Sequence, residues 1–161
     1  MSFKTFKTLS LVSAFVLCGV LSAAEAPSKG MKQVYDFLKE AKVYYIATVD
    51  KDQPHVRPFG TVHIFENRLY IQTGRKKNVG KQLLANGKVE LCAMKGRQVL
   101  RVTGTLVEDP RREAKASMLD AYPGLKKMYS PDDGNTMVLY FNGGTATITT
   151  SLDKPPVIIN F

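Results

Sequence analysis

The sequence predicts a mainly β protein, a closed antiparallel β-barrel with flanking helices in one domain. Two observations lead to this fold class. β-Branched and aromatic residues cluster in seven short segments, as they do in strands with one buried face. Tight turns join most of these segments, and helical spacing is confined to the start and to two connections. The strands are therefore expected to pair with their sequence neighbours, unlike those of a doubly wound sheet.

The first half of the domain is predicted to be a helix followed by a β-meander. The helix has an apolar face made of Val34, Phe37, Leu38 and Ala41. The three strands that follow are expected at residues 43–49, 55–65 and 69–73. Polar turns separate them, so each strand should pair with the next.

The second half alternates strands with two short helices. One helix is expected to end at Asn86-Gly87, and Pro110 opens the other, which continues through Tyr122. The remaining four strands are expected at residues 89–94, 99–107, 137–141 and 145–149. Asn142-Gly143-Gly144 predicts a tight hairpin between the last two strands.

Residues 1–24 are predicted to be a signal peptide. They begin with a positively charged stretch, followed by an apolar run at residues 9–21 that is short of the about 20 residues needed to span a bilayer. Ser22-Ala23-Ala24 then offers a cleavage site. An uncleaved anchor and a buried N-terminal helix are the alternatives. Cleavage would leave residues 25–161 as one periplasmic or secreted domain without a stable membrane span.

The composition is basic, with a formal net charge of +9, which indicates an anionic partner or a solvated surface. The interleaved aromatic residues of a nucleic-acid-binding sheet are not found, so no nucleic acid is expected as a partner. Cys92 alone remains after signal cleavage, which excludes an intrachain disulfide. His55 and His63 are predicted on one strand, too far apart to share a metal ion, so no metal site is expected.

Residues 54–77 have the pattern of an anion-binding site. Arg57 and Phe59 project to one face of their predicted strand, and Pro58 cannot donate a ladder hydrogen bond, so this strand should pair on one side only or be bulged. Lys76 and Lys77 precede the next predicted helix, whose N-terminal amides and dipole favour a phosphate. A solvated loop is the alternative for the lysines.

Five segments, in this order and at this spacing, resemble the flavin-binding split barrels of the pyridoxamine 5′-phosphate oxidase type. They are the leading helix and residues 54–59, 69–73, 77–91 and 99–104. The resemblance covers essentially the whole mature chain. Where the oxidases carry an Arg-Lys pair for the phosphate, this chain has Asn78-Val79, and Lys77 is the nearest substitute.

The resemblance implies a homodimer that holds flavin mononucleotide (FMN) in a groove between both chains. It assigns Arg57, Pro58, Phe59 and Gly60 to the flavin and its ribityl-phosphate tail, Gln72 and Thr73 to the ring or ribityl, and Lys76, Lys77 and Lys81 to the phosphate. Arg101 would approach from the partner subunit or brace the interface. No catalytic acid or base is assigned.

The C-terminal part departs from the oxidases, because the chain has no tryptophan and ends in Pro155-Pro156-Val157-Ile158-Ile159-Asn160-Phe161. This argues against vitamin B6 oxidation and favours the short members, which bind flavin or, in some cases, a deazaflavin or haem. The resemblance thus implies an oxidoreductase that passes hydride or electrons to a small-molecule acceptor. A non-enzymatic flavin or haem carrier is the alternative.

Overall fold

The computed structural model describes residues 27–151 and 153–161, so the predicted signal peptide lies outside the described residues. These residues form helices α1 Lys29–Ala41, α2 Asn78–Ala85 and α3 Arg112–Ala121, and a 3₁₀ helix, Pro123–Lys127. The strands are β1 Tyr44–Asp50, β2 Gln53–Phe59, β3 His63–Phe65, β4 Arg68–Gly74, β5 Lys88–Lys95, β6 Gln98–Asp109, β7 Thr136–Thr149 and β8 Val157–Asn160. None of the described helices is long and apolar enough to cross a bilayer.

Helix α1 forms where its predicted apolar face meets the barrel. The Ser28 side chain caps it by accepting a hydrogen bond from the Met31 amide at 3.2 Å. Val34, Phe37 and Leu38 are buried on one face, and the helix ends before Lys42, whose φ of 64° is left-handed. The helix thereby closes one end of the main core.

The sheet is antiparallel throughout, in the order β2-β1-β5-β6-β7-β4-β3, with β8 paired to β7. This confirms the predicted mainly β, barrel-like fold. The predicted closure is wrong, because β2 and β3 end the sheet and no ladder joins them in the described chain. β2 pairs with β1 alone, which is the one-sided pairing that Pro58 requires.

The predicted strand 55–65 is two strands, because side chains from elsewhere hold the linker between β2 and β3. The Tyr122 hydroxyl accepts from the Val62 amide and donates to the Val62 carbonyl, both at 2.9 Å. The Tyr44 hydroxyl donates to the carbonyl of Thr61 at 2.5 Å. His55 and His63 therefore lie on different strands, and the prediction that they share one is wrong.

The predicted hairpin at residues 137–149 is also wrong, because β7 runs through it as one strand. β6 pairs with β7 on both sides of a register shift, Leu106 with Phe141 and Gly104 with Gly144. The intervening Asn142 and Gly143 form a bulge, with Gly143 at a φ of 77°. The C-terminal strand β8, which the sequence analysis did not predict, pairs with the last part of β7.

Two clusters of buried side chains hold the fold. The larger fills the barrel beneath α1 and includes Ile46, Leu91 and Leu139. The smaller lies under α3 and contains Tyr70, Ala114, Met118 and Val138. Alternation along β4 explains the division, since Leu69 and Ile71 face the barrel while Tyr70 faces α3. Gln72, two residues beyond Tyr70, continues the face of β4 that Tyr70 occupies.

Candidate functional site

A cavity of about 300 Å³ lies where β2 and β4 end and α2 begins. Its lining includes seven of the residues predicted to bind the cofactor: Arg57, Pro58, Phe59, Gly60, Gln72, Thr73 and Lys77. The unpaired edge of β2 and the C-terminal end of β4 therefore contribute to one site. This is the arrangement that the sequence pattern of residues 54–77 predicts.

Gln72 places buried amide groups in this cavity. The residue is 5% exposed, and neither its Oε1 nor its Nε2 has a hydrogen-bond partner among the described residues. Its backbone amide is satisfied by Thr61 Oγ1 at 3.1 Å, so only the side chain is unpaired. A buried unpaired polar group costs about 1–3 kcal/mol. A ligand edge that presents both a donor and an acceptor would remove this cost, and the pyrimidine edge of a flavin is such an edge.

Arg57 contributes a positive charge that no carboxylate neutralises. Its Nη2 donates to Gln82 Oε1 at 2.8 Å and its Nη1 donates to Thr48 Oγ1, and both acceptors are neutral. Within the described chain Arg57 forms no ion pair. Burial lowers the pKa of Arg57, which still leaves the guanidinium protonated. The charge is available to an anion in the cavity.

Helix α2 directs its N-terminus at the same cavity. Lys77 is its N-cap and Val79, in its first turn, lines the wall. A Cβ on Gly80 would lie 2.4 Å from the Gly74 carbonyl oxygen, so only glycine lets the helix begin this close to the end of β4. The Lys77 ammonium lies 5.9 Å from the centre of the Tyr129 ring. The helix dipole and the lysine both favour a negative group here.

The basic loop before α2 is braced by a second loop. The Arg75 amide donates to the Asn135 carbonyl at 2.7 Å, and the Lys76 amide donates to Asn135 Oδ1 at 3.1 Å. Asp133 in turn accepts from the backbone amides of Asn135 and Thr136 at 2.7 and 2.6 Å. These and other backbone hydrogen bonds hold the pKa of Asp133 well below its usual range, although burial opposes them. The loop that carries Lys77 is therefore fixed by protein contacts.

Comparison with known proteins identifies the family of the chain. A family model described as pyridoxamine 5′-phosphate oxidase matches residues 31–149. The chain belongs to the pyridoxamine 5′-phosphate oxidase family. Comparison with curated protein sequences finds no significant relative.

Solved structures place the chain among proteins of this fold. It is similar to a NimC/NimA family protein from Clostridium acetobutylicum, with 45% identity and a TM-score of 0.78, over 82% of this chain and 92% of that one. General stress protein 26 from Bacillus anthracis has 16% identity and a TM-score of 0.63, over 81% and 97%. A haem-binding protein from Mycobacterium smegmatis has 11% identity and a TM-score of 0.61, over 85% and 59%. The last two likenesses concern the fold alone.

Three residues that the family resemblance assigns to the cofactor do not line the cavity. Lys76 lies in the exposed loop and contacts Asn135 through its backbone. Lys81 lines a separate groove beside α2. Arg101 is on the outer face of the sheet, 61% exposed and paired with Glu90. In the described chain Lys77 is therefore the lysine that reaches the cavity.

Sequence reasoning missed part of the cavity wall. Thr61 comes from the β2–β3 linker, Val79 from the first turn of α2, and Leu125, Met128 and Tyr129 from the segment after α3. Of these residues, only Val79 could have been found from the sequence, because it lies in the family motif at residues 77–91. The sequence analysis predicts no helix or strand between Tyr122 and residue 137. Their place beside β4 depends on tertiary packing.

The histidines are not part of the cavity lining. His63 Nε2 lies 2.8 Å from Ser117 Oγ, and burial together with the nearby Lys39 ammonium lowers the pKa of His63 below its usual value. The described residues contain no group of three His, Cys, Asp or Glu side chains that could hold a metal ion. The lining supplies no histidine to a haem, although Met128 and Tyr129 are residue types that can ligate haem iron, and Arg57 and Lys77 fit a phosphate group.

Proposed function

We propose that the cavity binds FMN and that the protein is an FMN-dependent oxidoreductase acting on a small molecule. The observation that carries the proposal is the buried, unpaired amide of Gln72 in the same cavity as the uncompensated charge of Arg57. FMN offers both of the missing partners, a polar ring edge and a phosphate. Family membership supports a flavin or haem cofactor in general, and the lining favours the flavin.

Each group of lining residues has a distinct role in this proposal. Arg57, Lys77 and the N-terminus of α2 hold the phosphate, since charge-assisted hydrogen bonds are the strongest available to it. Gln72 and Thr73 pair with polar atoms of the ring or ribityl chain. Bound FMN supplies the capacity to accept and donate hydride or electrons.

The segment after α3 shields one side of the site. Leu125, Met128 and Tyr129 line the cavity, and with FMN bound their apolar groups would keep water from the contacts made by Arg57 and Lys77 and so strengthen them. The Met128 side chain remains 69% exposed. A flexible apolar side chain at the rim suits contact with an apolar part of a substrate.

We further propose that the protein is a homodimer that uses the outer face of its sheet. Register pairing places Pro58, Tyr45, Cys92, Arg101, Thr147 and Ile158 in one row across this face. Tyr45 and Ile158 are 52% and 64% exposed. The row begins at Pro58, which also lines the cavity, so a second copy on this face would border the cofactor site.

The dimer proposal is tested by light scattering on the full-length mature protein. Val56→Asp, on the same outer face, should convert a dimer into a monomer, because it would bury a charge at the interface. Leu84→Asp, at an exposed apolar position of α2, is the matched control and should remain dimeric. A monomeric wild-type protein would refute the proposal.

We also propose that the protein is exported, because residues 1–24 have the pattern of a signal peptide. Expression of the full chain should yield a periplasmic or secreted protein whose mass corresponds to a chain beginning after Ala24. A full-length mass in the cytoplasmic fraction would contradict export.

The oxidoreductase proposal is tested by spectroscopy. Protein reconstituted with FMN should keep the flavin absorption bands after gel filtration, and these bands should bleach anaerobically on addition of a reduced nicotinamide cofactor. Arg97→Ala, in the exposed β5–β6 turn, is a control that should behave as wild type. A Soret band in protein purified from cells, or no retained chromophore, would contradict the proposal.

A further inference from the structure

Arg57 is held by a closed ring of hydrogen bonds that joins three elements. Thr48 Oγ1 on β1 donates to Gln82 Oε1 on α2 at 2.7 Å, and Arg57 on β2 donates to both of them, to Gln82 Oε1 at 2.8 Å. Thr48 and Gln82 are buried. Neither residue lines the cavity that Arg57 lines.

This ring fixes the direction of the guanidinium. Gln82 Oε1 accepts two hydrogen bonds, which sets the orientation of its amide, and Thr48 accepts from the other terminal nitrogen of Arg57. An arginine has five N–H donors, so two are used here and about three remain for a ligand. A side chain ordered before binding loses less conformational freedom when the ligand arrives.

The partners of Arg57 differ in charge from those of the other paired arginines. The others are Arg75, Arg101, Arg111 and Arg112, which contact Glu108, Glu90, Asp109 and Asp132 respectively, and these carboxylates neutralise their charges. Thr48 and Gln82 accept hydrogen bonds from Arg57 without carrying a negative charge. A glutamate at position 82 would keep the acceptor but cancel the charge that a phosphate requires.

We propose that Thr48 and Gln82 are positioning residues that orient Arg57 toward the phosphate while leaving its charge uncompensated. This inference rests on the proposed FMN function. The competing explanation is that the ring only ties β1, β2 and α2 together. The two explanations differ in one measurable quantity, the preference for FMN over riboflavin, which lacks the phosphate.

The experiment measures dissociation constants for FMN and riboflavin, and the melting temperature, in the full mature protein. Gln82→Glu should lower FMN affinity at least tenfold and change riboflavin affinity less than twofold, with an unchanged or higher melting temperature because an ion pair with Arg57 replaces a neutral contact. Gln82→Leu should also lose the FMN preference but melt earlier. Thr48→Ser keeps the hydroxyl and should retain the wild-type preference. Gln33→Leu, on the exposed face of α1, is the matched control and should behave as wild type.

An FMN preference that survives in Gln82→Glu would overturn the inference, as would equal losses for FMN and riboflavin. Wild-type protein that binds neither flavin would instead refute the proposed function. Wild-type protein that prefers FMN, and loses this preference in Arg57→Ala but not in Gln82→Glu, would refute the positioning role alone.

Discussion

Two successive residues on one face of β4 have opposite polar environments. The Tyr70 hydroxyl donates to Asp109 Oδ2 at 2.8 Å, and Arg111 pairs with both Asp109 and Glu66. Gln72, two positions along, has buried amide atoms without any protein partner in the described structure. The first group is satisfied by the protein alone, whereas the second is suited to a ligand.

Two arginines show the same contrast, since Arg111 shares Asp109 with Tyr70, and Arg57 lines the same cavity as Gln72. Hydrogen bonds to Asp109 and Glu66 raise the pKa of Arg111, whereas burial lowers the pKa of Arg57. An arginine paired with carboxylates stabilises the fold, whereas an arginine without a carboxylate partner, in the same cavity as an unpaired amide, indicates a binding site. The comparison separates structural from functional charge in a chain with 23 basic residues.

The largest expected effect is the loss of FMN binding in the double variant Arg57→Ala, Lys77→Ala. Two charge-assisted hydrogen bonds at about 1.5–3 kcal/mol each correspond to a loss of at least a hundredfold in affinity. Fluorescence titration of FMN measures this loss. Arg111→Ala should lower the free energy of unfolding and leave the FMN dissociation constant within twofold of wild type. If Arg111→Ala weakened FMN binding as much as the double variant does, the distinction between a structural Arg111 and a binding Arg57 would be wrong.

The cluster of Tyr70, Asp109 and Arg111 should contribute about 2 kcal/mol of stability that is lost in acid. Folding lowers the pKa of Asp109 to about 2, mainly through its hydrogen bond to Arg111. The carboxylate therefore stabilises the fold above its unfolded pKa of about 3.9 and loses this contribution as the pH falls toward 2.

Urea unfolding between pH 5 and pH 2 tests this dependence. Asp109→Asn should be less stable than wild type at pH 5, and the difference should shrink at the acid end. A difference that stays constant with pH would show that Asp109 is not the titrating group.

Gln72→Leu should raise the stability of the ligand-free protein by about 1 kcal/mol, because it removes an unpaired buried amide. The same variant should weaken FMN binding, since the ring edge loses its partner. Tyr70→Phe should do the reverse, lowering stability by about 1 kcal/mol with FMN affinity unchanged. Thermal melts with and without FMN measure both quantities. If the ligand-free Gln72→Leu variant were less stable than wild type, the Gln72 amide could not be unpaired in the ligand-free protein.

The smallest effect is expected at the exposed pair Lys32–Asp36 of α1, which lies at 2.6 Å. Lys32→Ala should change stability by less than about 0.5 kcal/mol, because exposed helix pairs contribute little. Urea unfolding measures this change. If Lys32→Ala lowered the free energy of unfolding by more than about 1 kcal/mol, exposed ion pairs would contribute more to the stability of this protein than we expect.

The local pattern was sufficient to predict most strands and the gathering of residues 57–60, 72–73 and 77. It failed at Asn142-Gly143-Gly144, because an Asn-Gly pair fits both a hairpin and a bulge. Pairing with the distant β6 selects the bulge. It failed again between β2 and β3, because hydroxyls of Tyr44 and Tyr122 hold that linker from positions remote in sequence.

Site residues could be predicted from the sequence only where they lie on a single strand or at the N-terminus of a helix. Arg57, Gln72 and Lys77 each lie at such a position, and the family motif connects them. The wall formed by Leu125, Met128 and Tyr129 follows from packing of the segment after α3 near β4. The ring of Thr48 and Gln82 around Arg57 joins β1, β2 and α2, so no local pattern could reveal it.

A crystal structure of the mature protein with FMN tests the central claim most directly. We predict FMN in the cavity between β2, β4 and α2, with its phosphate within hydrogen-bonding distance of Arg57 and Lys77 and a polar edge paired with the Gln72 amide. FMN bound elsewhere, or a Gln72 side chain still unpaired at saturating FMN, would contradict the assignment.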